Sequence, residues 1–141
     1  MAVKAIPDGF HSITPYVFVE DGAKFIEFVQ EAFGAELTER MDNPDGSVRH
    51  AQVKIGDSFV MLGKPQGAAM PASLYLYVPD CDAVYARALE AGATSIMEPA
   101  DQFYGDRGGG VTDPCGNIWW IGTHIEDVSP EELKRRAAGS Q

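Results

Sequence analysis

The apolar positions of the chain form two similar series. β-Branched and aromatic runs predict strands at 12–19, 36–41, 47–55 and 58–63, and again at 74–78, 94–98, 108–112 and 118–123. Within each series, apolar residues at i, i+3 and i+4 predict one helix, at 23–33 and at 80–91, and Gly34 and Gly92 are expected to end these helices. Each series therefore predicts a βαβββ unit.

Sequence correspondence between the two units indicates a duplication. Gly34-Ala35 recurs as Gly92-Ala93, and the strand at 59–63 recurs at 118–122, both at an offset of about 59 residues. Few residues are identical between the two units, so a chance correspondence is the alternative. The common offset favours duplication. We expect one domain over residues 1–141, with modules at about 10–63 and 73–124. A capping box at Ser129-Pro130-Glu131-Glu132 predicts a short C-terminal helix at about 129–137.

Composition narrows the function classes. The 141 residues carry a formal net charge of −10, which argues against nucleic acid as a partner. No run approaches the apolar length of a membrane span, and the N-terminus lacks a signal-peptide pattern, so we expect a cytoplasmic protein without a membrane partner. Cys81 and Cys115 show no zinc-site spacing, and two reduced thiols are favoured over a disulfide.

Several motifs resemble a known superfamily. They are Val19-Glu20-Asp21, Glu31-Ala32-Phe33-Gly34-Ala35, the segment 49–58, Leu89-Glu90-Ala91-Gly92-Ala93, Tyr104-Gly105-Asp106-Arg107, Asp113-Pro114-Cys115-Gly116-Asn117 and the segment 120–124. In order and spacing the chain is similar to the vicinal oxygen chelate superfamily, which includes glyoxalase I, bleomycin-resistance proteins and extradiol dioxygenases, and in particular to its PhnB-like branch. The resemblance implies an α+β fold in which two βαβββ modules form a half-open curved sheet cup with helices outside, and it implies a homodimer.

Strand alternation predicts which side chains line this cup. Alternate residues of a strand share a face, so Thr14, Tyr16 and Phe18 are expected on one face, as are Ser73, Tyr75 and Tyr77. In the third strand, Ala51, Val53 and Ile55 are expected to pack beneath the helices. The full set of candidate ligand-binding residues is Tyr16, Phe18, His50, Gln52, Tyr75, Tyr77, Tyr104, Arg107 and Trp120. The alternative is that these aromatic residues pack the sheet or a dimer seam.

The resemblance also raises the question of a metal. In metal-dependent members, a divalent ion is held near the start of the first strand and in the last strand of each module. Those positions fall on Thr14, Met61, Ser73 and Trp120, none of which is a customary strong ligand. We therefore expect neither a metal nor another cofactor. An unconventional divalent site that recruits His50, or His124 with Glu126 and Asp127, is the alternative.

Two charged candidates have competing interpretations. His50, a weak candidate for an acid or base, is more simply a hydrogen-bonding residue of the pocket wall. Arg107 has the geometry to clamp a carboxylate or phosphonate if it faces the cavity. The alternative for Arg107 is an ion pair with Asp106, Asp113 or Glu98. The glycines at 108–110 are expected to allow close backbone approach or a bulge.

The leading functional hypothesis is a metal-free binding protein that holds an aromatic or cationic small molecule in the cup. Aromatic rings offer faces on which a flat or cationic ligand stacks. The second hypothesis is a metal-dependent lyase, isomerase or dioxygenase of the same superfamily. The third is a structural or partner-binding dimer, which the absence of a cavity between Tyr16, His50, Tyr75 and Trp120 would favour.

Overall fold

The computed structural model describes residues 3–139 and contains eight strands and three helices in this range. In chain order they are β1 (Tyr16–Phe18), α1 (Gly22–Phe33), β2 (Glu36–Asp42), β3 (Val48–Ile55), β4 (Ser58–Gly63), β5 (Ser73–Tyr77), α2 (Cys81–Glu90), β6 (Thr94–Asp101), β7 (Asp106–Thr112), β8 (Ile118–His124) and α3 (Pro130–Gly139). The first ten elements repeat the order βαβββ twice.

The strands form two separate four-stranded sheets. The first sheet has the order β1-β4-β3-β2 and the second has the order β5-β8-β7-β6. In each sheet the first strand of the module pairs in parallel with the last, and the remaining pairs are antiparallel. The sheets are mixed and are not closed, which confirms the α+β fold class expected from the sequence.

Local sequence explains where the two main helices begin and end. Asp21 accepts a hydrogen bond from the backbone N–H of Lys24 at the start of α1, and Asp80 accepts one from Ala83 at the start of α2. Gly34 ends α1 in the left-handed conformation, with φ of 67°. Gly34 thus ends α1 as expected, whereas α2 ends at Glu90 with Ala91 as its C-cap, and Gly92 follows with φ of 111°.

The hydrophobic core lies between the two sheets. Helix α1 packs on the first sheet, α2 packs on the second, and the two helices contact each other. Trp119 of β8 is buried and contacts the rings of Phe25 and Phe33 on α1, so the core is continuous across both modules. The molecule thus has the layer order sheet, helices, sheet. Each sheet has one face toward the helices and one open face that points away from them.

Alternation along the strands matches the expected assignment of faces. Ala51, Val53 and Ile55 are buried on the helix side, while His50, Gln52 and Lys54 are partly exposed on the open face. In the second sheet the exposed residues of β5 are Ser73, Tyr75 and Tyr77.

Three strands, β1, β6 and β7, have boundaries that differ by more than one residue from those expected. Strand β1 is confined to Tyr16–Phe18, because Pro15 has no N–H and contributes only its carbonyl, which accepts from Met61. Strand β6 extends to Asp101. Strand β7 begins at Asp106 rather than near Gly108, and its pairing continues to Asp106 opposite His124.

None of the helices within residues 3–139 has both the length and the apolar character needed to cross a membrane.

Candidate functional site

The open face of the second sheet carries aromatic rings that lie against glycines. A Cβ placed on Gly122 would lie 2.5 Å from the hydroxyl of Tyr75, and one placed on Gly110 would lie 2.6 Å from the ring of Trp120. A Cβ placed on Gly108 would lie 3.6 Å from the same Tyr75 hydroxyl. The glycines therefore leave the space in which Tyr75 and Trp120 lie flat, and the expected close approach at 108–110 is confirmed.

A buried carboxylate holds the tyrosines in place. Asp106 is only 2% exposed, and its Oδ2 accepts hydrogen bonds from the hydroxyls of Tyr75 and Tyr77, each at 2.8 Å. Its Oδ1 lies 2.9 Å from Nδ1 of His124. Burial alone would raise the pKa of Asp106, but the hydrogen bonds from His124, Tyr75 and Tyr77 outweigh it and lower the pKa. Asp106 is therefore an anion with three partners.

His124 completes this arrangement, which we call the Tyr–Asp–His cluster (Tyr75, Tyr77, Asp106 and His124). The Nε2 atom of His124 lies 2.7 Å from Asp127, so each ring nitrogen faces a carboxylate. The hydrogen bonds to Asp127 and Asp106 raise the pKa of His124. The imidazole is thus stabilised in its doubly protonated form, which neutralises part of the negative charge.

The phenols of the cluster resist ionisation. Burial, followed by the hydrogen bond to Asp106 and the neighbouring hydroxyl of Tyr104, raises the pKa of Tyr75. The hydrogen bond to Asp106 and then burial raise the pKa of Tyr77. The rings of Tyr75 and Tyr77 have centroids 4.9 Å apart, and Tyr104 contacts Phe103 edge to face. The second sheet therefore presents a group of neutral tyrosines above one buried charge.

The open face of the first sheet repeats part of this design. A Cβ placed on Gly63 would lie 2.5 Å from the hydroxyl of Tyr16, the same distance as between a Cβ on Gly122 and the hydroxyl of Tyr75. The Tyr16 hydroxyl lies 3.2 Å from Nδ1 of His50, and the ring of Phe18 lies 5.1 Å from that of Tyr16. His50 is thus a hydrogen-bonding partner of Tyr16 within this face, which also contains Gln52.

The structure places Arg107 on the opposite side of β7. Its guanidinium pairs with Asp82 of α2, through contacts of 2.8 and 3.0 Å, and with Asp101 at 3.1 Å. The expected partners Asp106, Asp113 and Glu98 are wrong, because β7 is extended from Asp106 onward and successive side chains alternate between faces. Arg107 is therefore separated from the tyrosines, and its charge is taken up by the carboxylates beside it.

The residues at the superfamily's customary metal positions do not fit a metal. Met61 lies opposite Tyr16 in the register of β4 and β1, and Trp120 lies opposite Tyr75 in the register of β8 and β5. The hydroxyl of Ser73 accepts a hydrogen bond from the indole N–H of Trp120 at 3.1 Å. Thr14 donates to the carbonyl of His11. Across the described chain, residues 3–139, no three His, Cys, Asp or Glu side chains are grouped as a metal would require. Glu126 pairs with Arg136 rather than joining His124 and Asp127.

Tyr16, His50 and Trp120 lie outside the cavity that Tyr75 borders, so the four residues do not share that cavity. This cavity, of about 590 Å³, opens at the side of the molecule. It lies between the helix-side faces, next to the free edge of β5, and Ile55, Val60, Leu74, Leu76 and Trp119 contribute to its walls. Of the candidate binding residues, Tyr75 and Tyr77 border this cavity.

Sequence reasoning missed Asp106 as a site residue and treated His124 mainly as a surface group. Strand alternation would have found Asp106 if the predicted strand had begun two residues earlier. Alternate residues share a face, so Asp106 lies on the same face as Gly108 and Gly110. Asp106 lies outside the strand that the sequence predicts near 108–112, because the Gly-rich run hides where that strand begins. The role of each candidate in ligand binding stays a prediction.

The duplicated βαβββ units, with their two open aromatic faces, define a protein of the vicinal oxygen chelate class. The chain belongs to the Glyoxalase/Bleomycin resistance protein/Dioxygenase superfamily, whose family model matches residues 9–121. The chain is 36% identical over 147 residues to uncharacterized protein Mb0911c of Mycobacterium bovis, covering 95% of this chain and 94% of the relative. It is equally similar to uncharacterized protein Rv0887c of Mycobacterium tuberculosis, where 84% of the relative is covered.

Solved structures share the fold at lower identity. TioX from Micromonospora sp. ML1 superimposes with a TM-score of 0.67 at 21% identity, covering 84% of this chain and 100% of that one. A glyoxalase/bleomycin resistance protein/dioxygenase family enzyme from Burkholderia phytofirmans PsJN gives 0.66 at 19% identity, with 83% and 98% covered. The PhnB protein from Bacillus cereus gives 0.65 at 18% identity, with 80% and 99% covered. These likenesses concern the fold.

Proposed function

We propose that the protein binds a flat aromatic small molecule, neutral or cationic, on its open sheet faces and does so without a metal or another cofactor. The observation that carries the proposal is the aromatic floor of the second sheet, where Tyr75 and Trp120 lie flat over Gly122 and Gly110. Glycines weaken a strand, so three glycines at one face, Gly108, Gly110 and Gly122, need a reason. The reason we propose is that these glycines leave space for aromatic rings that face a ligand. Exposed aromatic faces bind flat partners by stacking.

We further propose that the binding cup is completed by a second copy of the chain. Strands β1 and β5 stand at the ends of their sheets, so each leaves one edge without a partner strand. Both edges carry exposed aromatic residues, Tyr16 and Phe18 on β1 and Tyr75 and Tyr77 on β5. A twofold axis that sets β1 of one copy beside β5 of the other covers both edges at once. The Tyr16 face of one copy then meets the Tyr75 face of the other.

A cytoplasmic location and a single domain over the whole chain complete the proposal. Both cysteines, Cys81 and Cys115, are free, which suits a reducing compartment. The hydrophobic core includes residues of both modules, which suits one folding unit.

Calorimetric titration with 1-naphthylmethanol, an uncharged flat aromatic probe, tests the binding function. We expect saturable binding that weakens about tenfold or more in Trp120→Ala, because that variant removes one ring of the floor. The control is Leu89→Ala, which removes an exposed apolar side chain from α2 and should bind as the natural protein does. Absence of saturable binding, or equal loss in both variants, would contradict the proposal.

A further inference from the structure

The Tyr–Asp–His cluster has no hydrogen-bond donor left for a ligand. A phenol carries one proton, and the phenols of Tyr75 and Tyr77 both donate theirs to Oδ2 of Asp106, at 2.8 Å each. An ionised carboxylate only accepts, so the direction of both bonds is fixed. His124 uses both ring nitrogens toward Asp106 and Asp127. The groups that remain available are the lone pairs of the two phenol oxygens.

The same surface is favourable for positive charge. Tyr75 and Tyr77 are 44% and 61% exposed, so their electron-rich ring faces are accessible. The carboxylate of Asp106 lies directly behind their hydroxyls. Arg107, the basic residue next in sequence, points to the other side of β7 and is paired with Asp82. A cation placed over the rings therefore meets acceptor oxygens, ring faces and a buried anion, and the imidazole beside that anion is itself paired with a second carboxylate, Asp127. A ligand carboxylate meets no donor from the cluster.

We propose that this face selects ligands that carry an ammonium or a similar hydrogen-bond-donating cation, and that Asp106 sets the selectivity by holding both phenol protons inward. The inference rests on the proposed function, since it names the chemical class of ligand for the same surface. Asp106 acts here through Tyr75 and Tyr77 and is a specificity-determining residue that a ligand does not touch.

Three probes with one ring system test the selectivity: 1-naphthylmethylammonium, 1-naphthylmethanol and 1-naphthylacetate, each titrated calorimetrically at neutral pH. We expect the ammonium to bind about tenfold or more tightly than the carboxylate. In Asp106→Asn we expect this ratio to fall about tenfold, because an amide accepts with one atom and donates with the other. One phenol proton is then free to turn toward the ligand.

The matched control is Asp127→Asn, which removes one negative charge from the same network but contacts only His124. We expect it to keep the selectivity within about threefold. Equal loss of selectivity in both variants would assign the effect to general electrostatic attraction and overturn the inference.

The double variant Tyr75→Phe with Tyr77→Phe keeps the rings and removes the acceptor oxygens. It should lose part of the selectivity, because the ammonium no longer meets the two phenol oxygens, and unchanged selectivity in it would also overturn the inference.

The outcomes separate the two proposals. If none of the three probes binds, the proposed function fails. If all three bind with equal affinity, the aromatic surface still binds small molecules, and only the inference about ligand charge is wrong.

Discussion

At the scale of single residues, glycine and tyrosine act as a pair in both modules. Gly63 lies below Tyr16 and Gly122 lies below Tyr75, in each case with 2.5 Å between the hydroxyl and an added Cβ. The pairs occupy corresponding positions of the two βαβββ units. The third member differs, because Tyr16 meets His50 whereas Tyr75 meets Asp106. The two modules therefore share the tyrosine ring and the glycine below it, but they differ in the polar partner of the tyrosine hydroxyl.

Replacement of Gly122 by alanine should displace the Tyr75 ring. The atoms in conflict belong to the far end of a side chain, so the ring moves and the backbone stays. We expect loss of the hydrogen bond to Asp106, a stability cost of about 1–3 kcal/mol and weaker binding of 1-naphthylmethanol. Denaturant unfolding and calorimetry measure the two effects. Gly67→Ala, at a position with open space, is the control. Undiminished binding in Gly122→Ala would show that the ring position is unimportant.

At the scale of elements, the sequence predicted the order of strands and helices and most of their faces. Trp120 lies on the open face, in agreement with its place among the candidate cup residues, and its neighbour Trp119 lies toward the helices. Long periodic segments such as α1 and β3 give clear patterns because each has one fully buried side. The local hydrophobic pattern does not show which strands lie at the edge of a sheet without a neighbouring strand. The sequence therefore does not decide whether the cup is built from one chain or two.

The ion pairs of the site depended on boundaries that the pattern left uncertain. With β7 predicted to begin near Gly108, the faces of Asp106 and Arg107 are undefined, and the ion-pair partners expected for Arg107 are wrong. The observed start at Asp106 puts Asp106 with the tyrosines and Arg107 with α2. A shift of one residue in a strand moves each side chain to the other face, so small boundary errors have large effects on a predicted site.

The loop between β6 and β7 is fixed by Gly105, and its replacement tests this connection. Gly105 has φ of 97°, its carbonyl accepts from the N–H groups of Ile125 and Glu126, and an added Cβ would meet the backbone carbonyl of Glu126. Gly46 has a similar φ of 88° but open space around it. We expect Gly46→Ala to lower the free energy of unfolding by about 1 kcal/mol and Gly105→Ala by more, about 3 kcal/mol. Equal costs, measured by denaturant unfolding, would mean that the contact with Glu126 contributes nothing.

At the scale of the whole molecule, the proposed cup needs a second copy of the chain, because it combines the Tyr16 face of one copy with the Tyr75 face of the other. The chain has a mass of 15.2 kDa. We expect light scattering to give about 30 kDa, the value for a symmetric pair of copies. Because the proposed cup needs both copies, affinity for 1-naphthylmethanol should weaken when dilution dissociates the pair. A monomer at every concentration, with unchanged probe affinity, would contradict the two-chain cup.

The contact of Trp119 with Phe25 and Phe33 has a consequence for how the chain reaches its native state. These residues are far apart in sequence, and they join helix α1 of the first module to strand β8, the last strand of the second. Loop closure over such a separation costs entropy before the contact forms. Synthesis of the chain on the ribosome thus leaves Phe25 and Phe33 without their contact to Trp119 until β8 has emerged, so the first module is fully packed only after the second has been made.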